Sequence, residues 1–311
     1  MTAPISPTAS PEAFSRPLRT SGASARFVRH PLARLGFVLL FLLLVCASFA
    51  GVFSLAPHDP GHLYPKGVNT LGVPHAPGGG FLLGADTLGR DVWTRLLFGA
   101  RLSLSIALCA MLTSTVIGTL VGLLAGYFGN GVDRFLTRIT EIVASLPTIL
   151  LAITLTMVLP TSWRDVEPFA TLNLDPRLVM AIGLVTWTSI SRAVRGQVLS
   201  LKEREFIEAA RALGQSNSRI LFRHIFPNVL PTVITLATLA TATNILLEAG
   251  LSYLGLGAPK TPSWGSMIAE GQPYFVSAPW ITLAPGVAIV IAVTAFNLIG
   301  NALTESLETR R

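Results

Sequence analysis

The side chains able to do chemistry are few, and their spacing gives them little to do together. The five histidines, His30, His58, His62, His75 and His224, make no cluster of the kind a membrane-anchored enzyme would show. His58, His62 and His75 share one segment and are able to bind a metal weakly, but that segment is rich in Pro and Gly and reads better as spacer, so no metal site is expected. Cys46 and Cys109 fall inside apolar runs, which leaves neither a disulfide framework nor a CxxC metal site and makes them small packing residues. A phosphate-binding loop needs Gly-Lys followed by Ser or Thr. The only lysines are Lys66, Lys202 and Lys260, and Lys260 precedes Thr261 but follows Pro259. Any nucleotide chemistry must belong to another polypeptide. Two carboxylates, Glu141 and Glu248, stand at the ends of long apolar runs. Glu248 is the better functional candidate, because an ionisable group at membrane depth is expensive and is kept for a role, the bland alternative being a place in the lipid interface. An ion-coupled secondary transporter, the alternative function, would want such carboxylates at mid-bilayer together with internal repeats, and no repeat is visible.

The elements that carry these residues are set by composition. The 311 residues are 51% hydrophobic and 13% charged, with a mean hydropathy of +0.60, whereas soluble domains average about 25% charged residues. Such a chain has the lipid bilayer as its solvent. The net charge of +7 does not point to nucleic acid, since the arginines sit between apolar segments and no basic run is interleaved with aromatics.

Runs of about 20 apolar residues, the length that spans the hydrocarbon core, are clear at Leu35–Leu55, Leu102–Gly126 and Ile281–Ile299. Ile139–Leu159 adds a fourth with Pro147 inside, expected as a kinked span. Val229–Leu247 is long but rich in Thr, and Leu178–Ile190 is short. The expectation is an all-α polytopic membrane protein with six transmembrane helices. Lys and Arg are retained on the cytoplasmic side, and with the N-terminus inside, 16 of the 23 fall there. Both termini are therefore expected in the cytoplasm. The first run is longer than the roughly 7–15 residues of a signal-peptide core and follows a tail of about thirty residues, so it reads as an uncleaved span. Val45 before Cys46 speaks against a lipoprotein signal. The chain divides into a disordered tail over 1–33, a first helix and outer loop over 34–100, and a core over 101–305 that contains a charged cytoplasmic loop, 203–227.

That loop holds the densest charge of the chain, in EFIEAARALGQSNSRILFRHIFPN, Glu205 to Asn228. Phe206, Ala209, Ala210 and Leu213 recur at helical spacing as a narrow apolar stripe, with Glu203, Arg204, Glu208 and Arg211 elsewhere. Gly214 is placed as a left-handed C-cap. Ser216, Asn217 and Ser218 offer N-caps for a second short helix through Ile220, Leu221 and Ile225. One reading is an amphipathic helix resting on lipid headgroups. The other is a helix docked on protein, favoured by alanines that permit close approach. Periodicity leaves the two even.

The passage resembles the EAA loop of permease subunits of bacterial ABC importers: Glu-Ala-Ala, three residues, Gly, nine residues, then a motif ending in Pro. Where the general pattern has Ile-x-Leu-Pro this chain has His224, Ile225, Phe226 and Pro227, as in the peptide and nickel branch. LLGADTLGRDVWTRLLFGARLSLSIAL (Leu82 to Leu108), LSYLGLGAPKTPSWGSMIAEG (Leu251 to Gly271) and PGVAIVIAVTAFNLIGNAL (Pro285 to Leu303) are similar to the C-type permease of dipeptide and oligopeptide importers. The likeness runs from about His30 to Leu307. Asn301 stands where the family has Asp, and the tail reads SLETRR; both departures bear on substrate and subgroup.

The resemblance implies an ABC importer type I permease fold in the bacterial inner membrane. It also implies that this subunit is not an enzyme and binds no cofactor, with ATP and Mg carried by two separate P-loop ATPase subunits. A second permease subunit and an extracytoplasmic substrate-binding protein complete the set of implied partners. Glu208, Ala209, Ala210 and Gly214 become the ATPase-docking contact and its turn, and Arg211 a salt-bridge candidate across it. His224 and Pro227 fix where the loop re-enters the membrane, His224 being equally able to act as a helix C-terminal cation. Asp86, Gly89, Arg90 and Asp91 fall on the outer face near the binding-protein dock or outer gate, unless Arg90 and Asp91 simply pair with each other's neighbours to fold the loop. Thr232, Thr235, Thr238, Thr241, Thr243 and Asn244 give one span a polar side, expected to serve packing rather than a translocation path.

Overall fold

A computed structural model describes residues 30–55, 59–70, 72–165, 167, 174–258 and 261–308. The expected disordered tail and His58 lie outside these residues, apart from 30–33, which already open the first helix. The elements are α1 (Pro31–Ser48), α2 (Ala50–Phe53), α3 (Val92–Phe128), α4 (Asn130–Ser145), α5 (Thr148–Val158), α6 (Pro176–Leu201), α7 (Glu205–Ala212), α8 (Asn217–Ile220), α9 (Phe226–Tyr253), α10 (Trp264–Gly271) and α11 (Trp280–Glu308). Among the described residues no strand forms; the segment before α3 carries isolated antiparallel bridges only.

The centre of the bundle is the α3–α6 pair. Gly118, Gly122 and Gly126 repeat every four residues along α3, and a Cβ added there would lie 2.6 Å from the Trp187 carbonyl, 2.7 Å from that of Ser191 and 3.0 Å from that of Arg195. The two backbones touch. In lipid an apolar side chain gains nothing by leaving one apolar medium for another, so helices are held by close packing of this sort. α6 begins where Asp175 accepts from the Arg177 backbone N–H at 3.0 Å and Pro176 occupies the first turn, and it runs 26 residues. It starts at Pro176, close to the expected beginning, and runs well past the expected end at Ile190 to Leu201, because Arg192 and Arg195 had hidden that limit in a search for unbroken apolar runs.

Pro147 does more than kink the fourth expected span. α4 and α5 meet at 98°, with Leu146 and Pro147 extended between them. Pro147 lacks an N–H to continue α4 and pushes Leu146 out of the helical region. Among the described residues four helices are long and apolar enough to cross a membrane, or five if the bent pair is one span; α6 is not one of them, so the count of six is not reached on length and hydropathy. The apolar side chains of α1 that stay exposed, including Leu35, Val38, Phe41 and Leu42, suit a lipid-facing helix.

The Pro- and Gly-rich segment 59–91 is folded rather than plain spacer. Leu63 bridges to Arg90 and Ala85 to Asp91, while Trp280 Nε1 donates to the Ala85 carbonyl at 3.0 Å and fixes the segment to the start of α11. His62 and His75 pack on Tyr64 and Phe81. Among the described residues no group of His, Cys, Asp and Glu is arranged to hold a metal.

Candidate functional site

Two charged constructions stand at opposite ends of α3. The first is α7 with its turn. Leu213 closes the helix, and Gly214, at φ +73°, puts its N–H 2.9 Å from the Arg211 carbonyl while Gln215 N–H reaches the Ala210 carbonyl at 3.1 Å. These two bonds are a Schellman cap, as expected of Gly214. Ser216 then precedes α8, which runs through the π-helical turn Leu221–Ile225 into α9. His224 Nε2 meets Gln215 Oε1 at 2.9 Å, so the ring ties the far side of the turn to its beginning. Pro227, in the first turn of α9, has no N–H for the Arg223 carbonyl, and the wider helical turn absorbs that missing bond. Asn228 Nδ2 donates to the His224 carbonyl at 2.6 Å.

The apolar stripe of the sequence divides in two. Ile207 and Ala210 are buried, in one cluster with Leu123, Tyr127, Val194, Ile220 and Ile225. Phe206 is 44% and Leu213 80% exposed, and Glu208 and Ala209 are exposed beside them. Ala210 thus packs on its own bundle and its side chain is unavailable to a partner, which corrects its expected place in a docking contact. Arg211 lies over the Tyr127 ring, 5.7 Å from its centroid, rather than reaching away from the chain. Tyr127 in turn donates to Asn217 Oδ1 at 2.8 Å. Beneath the unit, Arg195 clasps Asp133 through Nε at 2.5 Å and Nη2 at 2.7 Å, joining α6 to α4.

The second construction surrounds the head of α3. Gly89, at φ +81°, turns the chain so that Asp86 Oδ1 accepts from the N–H groups of Leu88 and Arg90, both at 2.9 Å. Asp86 Oδ2 receives Arg90 Nε and Arg95 Nη1, both at 2.6 Å. On their outer side the same two guanidiniums hold Glu270 of α10: Arg90 Nη2 at 2.6 Å, and Arg95 Nη1 and Nη2 at 2.7 and 3.0 Å. Asp86 and Arg95 are withdrawn from solvent, with side chains 3% and 4% exposed, while Glu270 is 39% exposed. Burial raises the Glu270 carboxyl, and hydrogen bonds and charge from Arg95 and Arg90 more than offset it, leaving it below the usual Glu range. The charges balance, and the cluster borders a cleft of about 240 Å³ lined also by Pro60, Thr261 and Ser266. Asp91 stands apart from Arg90 as the N-cap of α3, accepting from Thr94 N–H at 2.7 Å and Thr94 Oγ1 at 2.6 Å.

Glu248 is neither in this cluster nor in the lipid interface. It is fully buried in α9, where Oε1 accepts from Ser252 Oγ at 2.7 Å and Oε2 has no hydrogen-bond partner. Thr235, Thr238 and Thr241 spend their hydroxyls on the carbonyls of Pro231, Ile234 and Ala237, four residues back, in keeping with a packing role.

Sequence reasoning missed Arg95 and Glu270 as a pair, because 175 residues separate them. Ile207 was missed for a different reason: the apolar stripe was centred one residue off. The glycine repeat of α3 was visible in the spacing and had been absorbed into an apolar run.

Residues 118–311 match the model of the binding-protein-dependent transport system inner membrane component, and residues 20–70 that of the N-terminal TM domain of oligopeptide transport permease C. The chain is 36% identical to the dipeptide transport system permease protein of Alkalihalophilus pseudofirmus, over 91% of this chain and 87% of that one. With the oligopeptide transport system permease protein of Bacillus subtilis it shares 34% identity over 93% and 88%. A glutathione transport system permease protein of Escherichia coli O157:H7 is 36% identical over 92% and 88%. Among solved structures, the MetNI methionine ABC transporter in inward-facing conformations shares the fold, with a TM-score of 0.52 and 21% identity over 67% of this chain and 93% of that chain. The glycine-capped helix pair, the glycine-packed helices around it and these relatives agree: the chain belongs to the family of inner membrane components of binding-protein-dependent transport systems, the permease subunits of ABC transporters.

Proposed function

We propose that this permease subunit admits short peptides across a bacterial inner membrane, coupled to ATP through α7. The observation that carries the reading is the divided stripe of α7. Ile207 and Ala210 root the helix in its own bundle, while Phe206, Ala209 and Leu213 are left in the open beside Glu208. A helix made to lie on lipid headgroups would use larger apolar groups than Ala209 and more cations on its polar face. An exposed face flanked by a carboxylate and a glycine turn suits a groove on another protein.

In this reading α7 faces the cytoplasm and seats on one of two P-loop ATPase subunits, which carry ATP and Mg; the chain itself binds neither. The broken pair α4–α5 and the 26-residue α6, about 39 Å long at 1.5 Å per residue, complete six spans with both termini in the cytoplasm. A second permease subunit faces this one, and an extracytoplasmic binding protein delivers substrate to the opposite end. When the ATPases close, α7 moves as a rigid handle. Its displacement passes into α9 through the continuous turn at Leu221–Ile225, and into α3 through Tyr127. Relatives named for dipeptides, oligopeptides and glutathione support a peptide-like substrate.

The test is copurification from native membrane in mild detergent. Leu213→Glu changes a side chain that is 80% exposed, so the variant should fold as the wild type does. The wild type is expected to bring down a P-loop ATPase and a second permease, and the variant the permease alone. Full retention of the ATPase by the variant, or no ATPase with either protein, returns α7 to the headgroup-bound account.

A further inference from the structure

The cluster at the head of α3 is built in two tiers, and the tiers differ in what their loss would cost. Asp86 and Arg95 form the buried tier, with Asp86 also fixed by two backbone N–H groups. Glu270 forms the outer tier and belongs to a different element, the short helix α10. If Glu270 leaves, Arg95 Nη1 keeps Asp86 Oδ2 and Arg90 Nε keeps the same oxygen. Each buried charge keeps a counter-ion, and the one positive charge left over is shared with Arg90, whose side chain is 17% exposed against 4% for Arg95. Removing one partner of a buried pair is ordinarily costly because the other remains uncompensated, and this arrangement avoids that cost for one motion only, the withdrawal of Glu270.

The rest of α10 defines that motion. Its beginning is pinned: Trp264 is 1% exposed, its backbone N–H lies 3.3 Å from Ser103 Oγ of α3, and Ser263 with Ser266 forms a reciprocal capping box. A Cβ on Gly265 would stand 2.1 Å from the Ala249 carbonyl, so α10 rests directly on the backbone of α9 there. Its other end has Glu270 on the arginines and Gly271 against Ile281 and Thr282 of α11. Between the ends, Met267 is 1% exposed and packs with Val92, Ala278 and Ile281. The helix is thus anchored at its N-terminal end and fastened by ion pairs at its C-terminal end.

We propose that Arg90, Arg95, Asp86 and Glu270 form an ion-pair latch that holds the C-terminal end of α10 on the head of α3, and that its release accompanies opening of this face during transport. The inference rests on the permease reading above and adds to it the residues that hold the outer face shut. Arg95 and Asp86 are the fixed catch, Glu270 is the moving part, and Arg90, less buried than Arg95, is a second limb that strengthens the closed state.

The experiment is thiol labelling of Met267→Cys with a membrane-impermeant maleimide, in a Cys46→Ala, Cys109→Ala background, on the purified complex in proteoliposomes. Thr261→Cys, on the wall of the cleft, reports reagent access whatever α10 does. Without nucleotide, Glu270→Gln is expected to speed labelling at position 267 about fivefold, and Arg90→Gln about twofold because Arg95 still holds Glu270. With ATP and vanadate trapping the closed ATPases, labelling with Glu270 intact should rise toward the rate of the Glu270→Gln variant. Equal labelling with and without Glu270→Gln overturns the latch, and labelling indifferent to nucleotide reduces it to a static tie and overturns the gating role. Because the nucleotide-free comparison requires no ATPase, failure of the latch is separable from failure of the permease reading, which shows as the absence of a copurifying ATPase.

Discussion

At one end of α3 an apolar face is left in the open, and at the other two charged side chains are almost wholly withdrawn from solvent. Phe206 and Leu213 are exposed on a helix whose opposite side is anchored; Asp86 and Arg95 are hidden behind Arg90 and Glu270. The two departures from the ordinary partition of side chains are used differently. An exposed apolar face on an anchored helix asks for a second protein, because water is a poor neighbour for it. A buried, balanced ion cluster asks for nothing outside the chain. It costs desolvation, contributes modestly to stability when complete, and makes the loss of either buried member, Asp86 or Arg95, expensive. In the proposed function the α7 end makes contact with another subunit, and in the proposed latch the Arg95 end holds this subunit's own parts in one arrangement. α3, 37 residues and about 55 Å long, connects them as a single rigid element.

The contrast predicts that the two ends respond oppositely to substitution, and the largest effect belongs to the buried end. Asp86→Ala removes the acceptor of two guanidinium contacts and two backbone N–H bonds at once. It leaves Arg95 buried with Glu270 alone, a loss of about 3 kcal/mol or more. A fall in the thermal unfolding midpoint in detergent of several degrees, with ATPase association kept at temperatures below it, is the expected result. An unchanged midpoint would mean that the cluster is no tie, and the comparison would collapse to two solvated surfaces.

Gly214→Val sharpens the other side. At φ +73° a β-branched residue is strained by roughly 1–2 kcal/mol, and nothing within 4 Å of the site obstructs the added Cβ. The strain is therefore local to the Schellman turn. Unwinding of the turn tilts α7 and scatters Phe206 and Leu213 while the buried cluster around Tyr127 persists. ATPase association, read by copurification, should drop severalfold while the unfolding midpoint moves by a degree or two. A large fall in the midpoint with association intact would reverse the assignment of the two ends.

How much of this was legible in the sequence follows from how far each feature reaches along the chain. The α7 unit is local. Its glycine cap is fixed by bonds to Arg211 and Ala210 and appears where the sequence placed it, while Ser216 stands at the N-cap position of α8 without a side-chain capping bond. What was misplaced there is rotational: the stripe through Phe206, Ala209, Ala210 and Leu213 omitted Ile207, and which edge of a stripe turns inward depends on the helices beneath it. The Arg95 cluster joins residues 175 positions apart, and nothing about Glu270 in its own neighbourhood marks it as a partner. Arg90 and Asp91 were singled out from their neighbourhood, and only Arg90 joined the cluster, since Asp91 was taken by the nearer demand of capping α3. The break at Pro147 was seen as a kink because the apolar run continues through it, whereas backbone geometry ended one helix and began another. α6 was underestimated because a helix packed inside the bundle carries arginines near its ends that a search for unbroken apolar runs rejects.

The smallest expected effect tests the outer tier of the latch by pH. Glu270 is held below its ordinary carboxyl range by Arg95 and Arg90, although its partial burial works against this. A carboxyl depressed in the folded state contributes stability above its unfolded value, near 4.5, and loses that contribution as pH falls through the lower folded value. The arginines facing it stay charged throughout, and Asp86 is common to the wild type and the Glu270→Gln variant, so the difference between the two isolates Glu270. That difference in unfolding midpoint should be small and flat from pH 8 to about pH 5, then shrink toward zero below about pH 4. A difference that instead disappears between pH 8 and 6 would mean that Glu270 titrates high, as a carboxyl governed by desolvation does. The two guanidiniums would then not be holding it, and the outer tier of the latch would be absent while the buried tier of Asp86 and Arg95 remained.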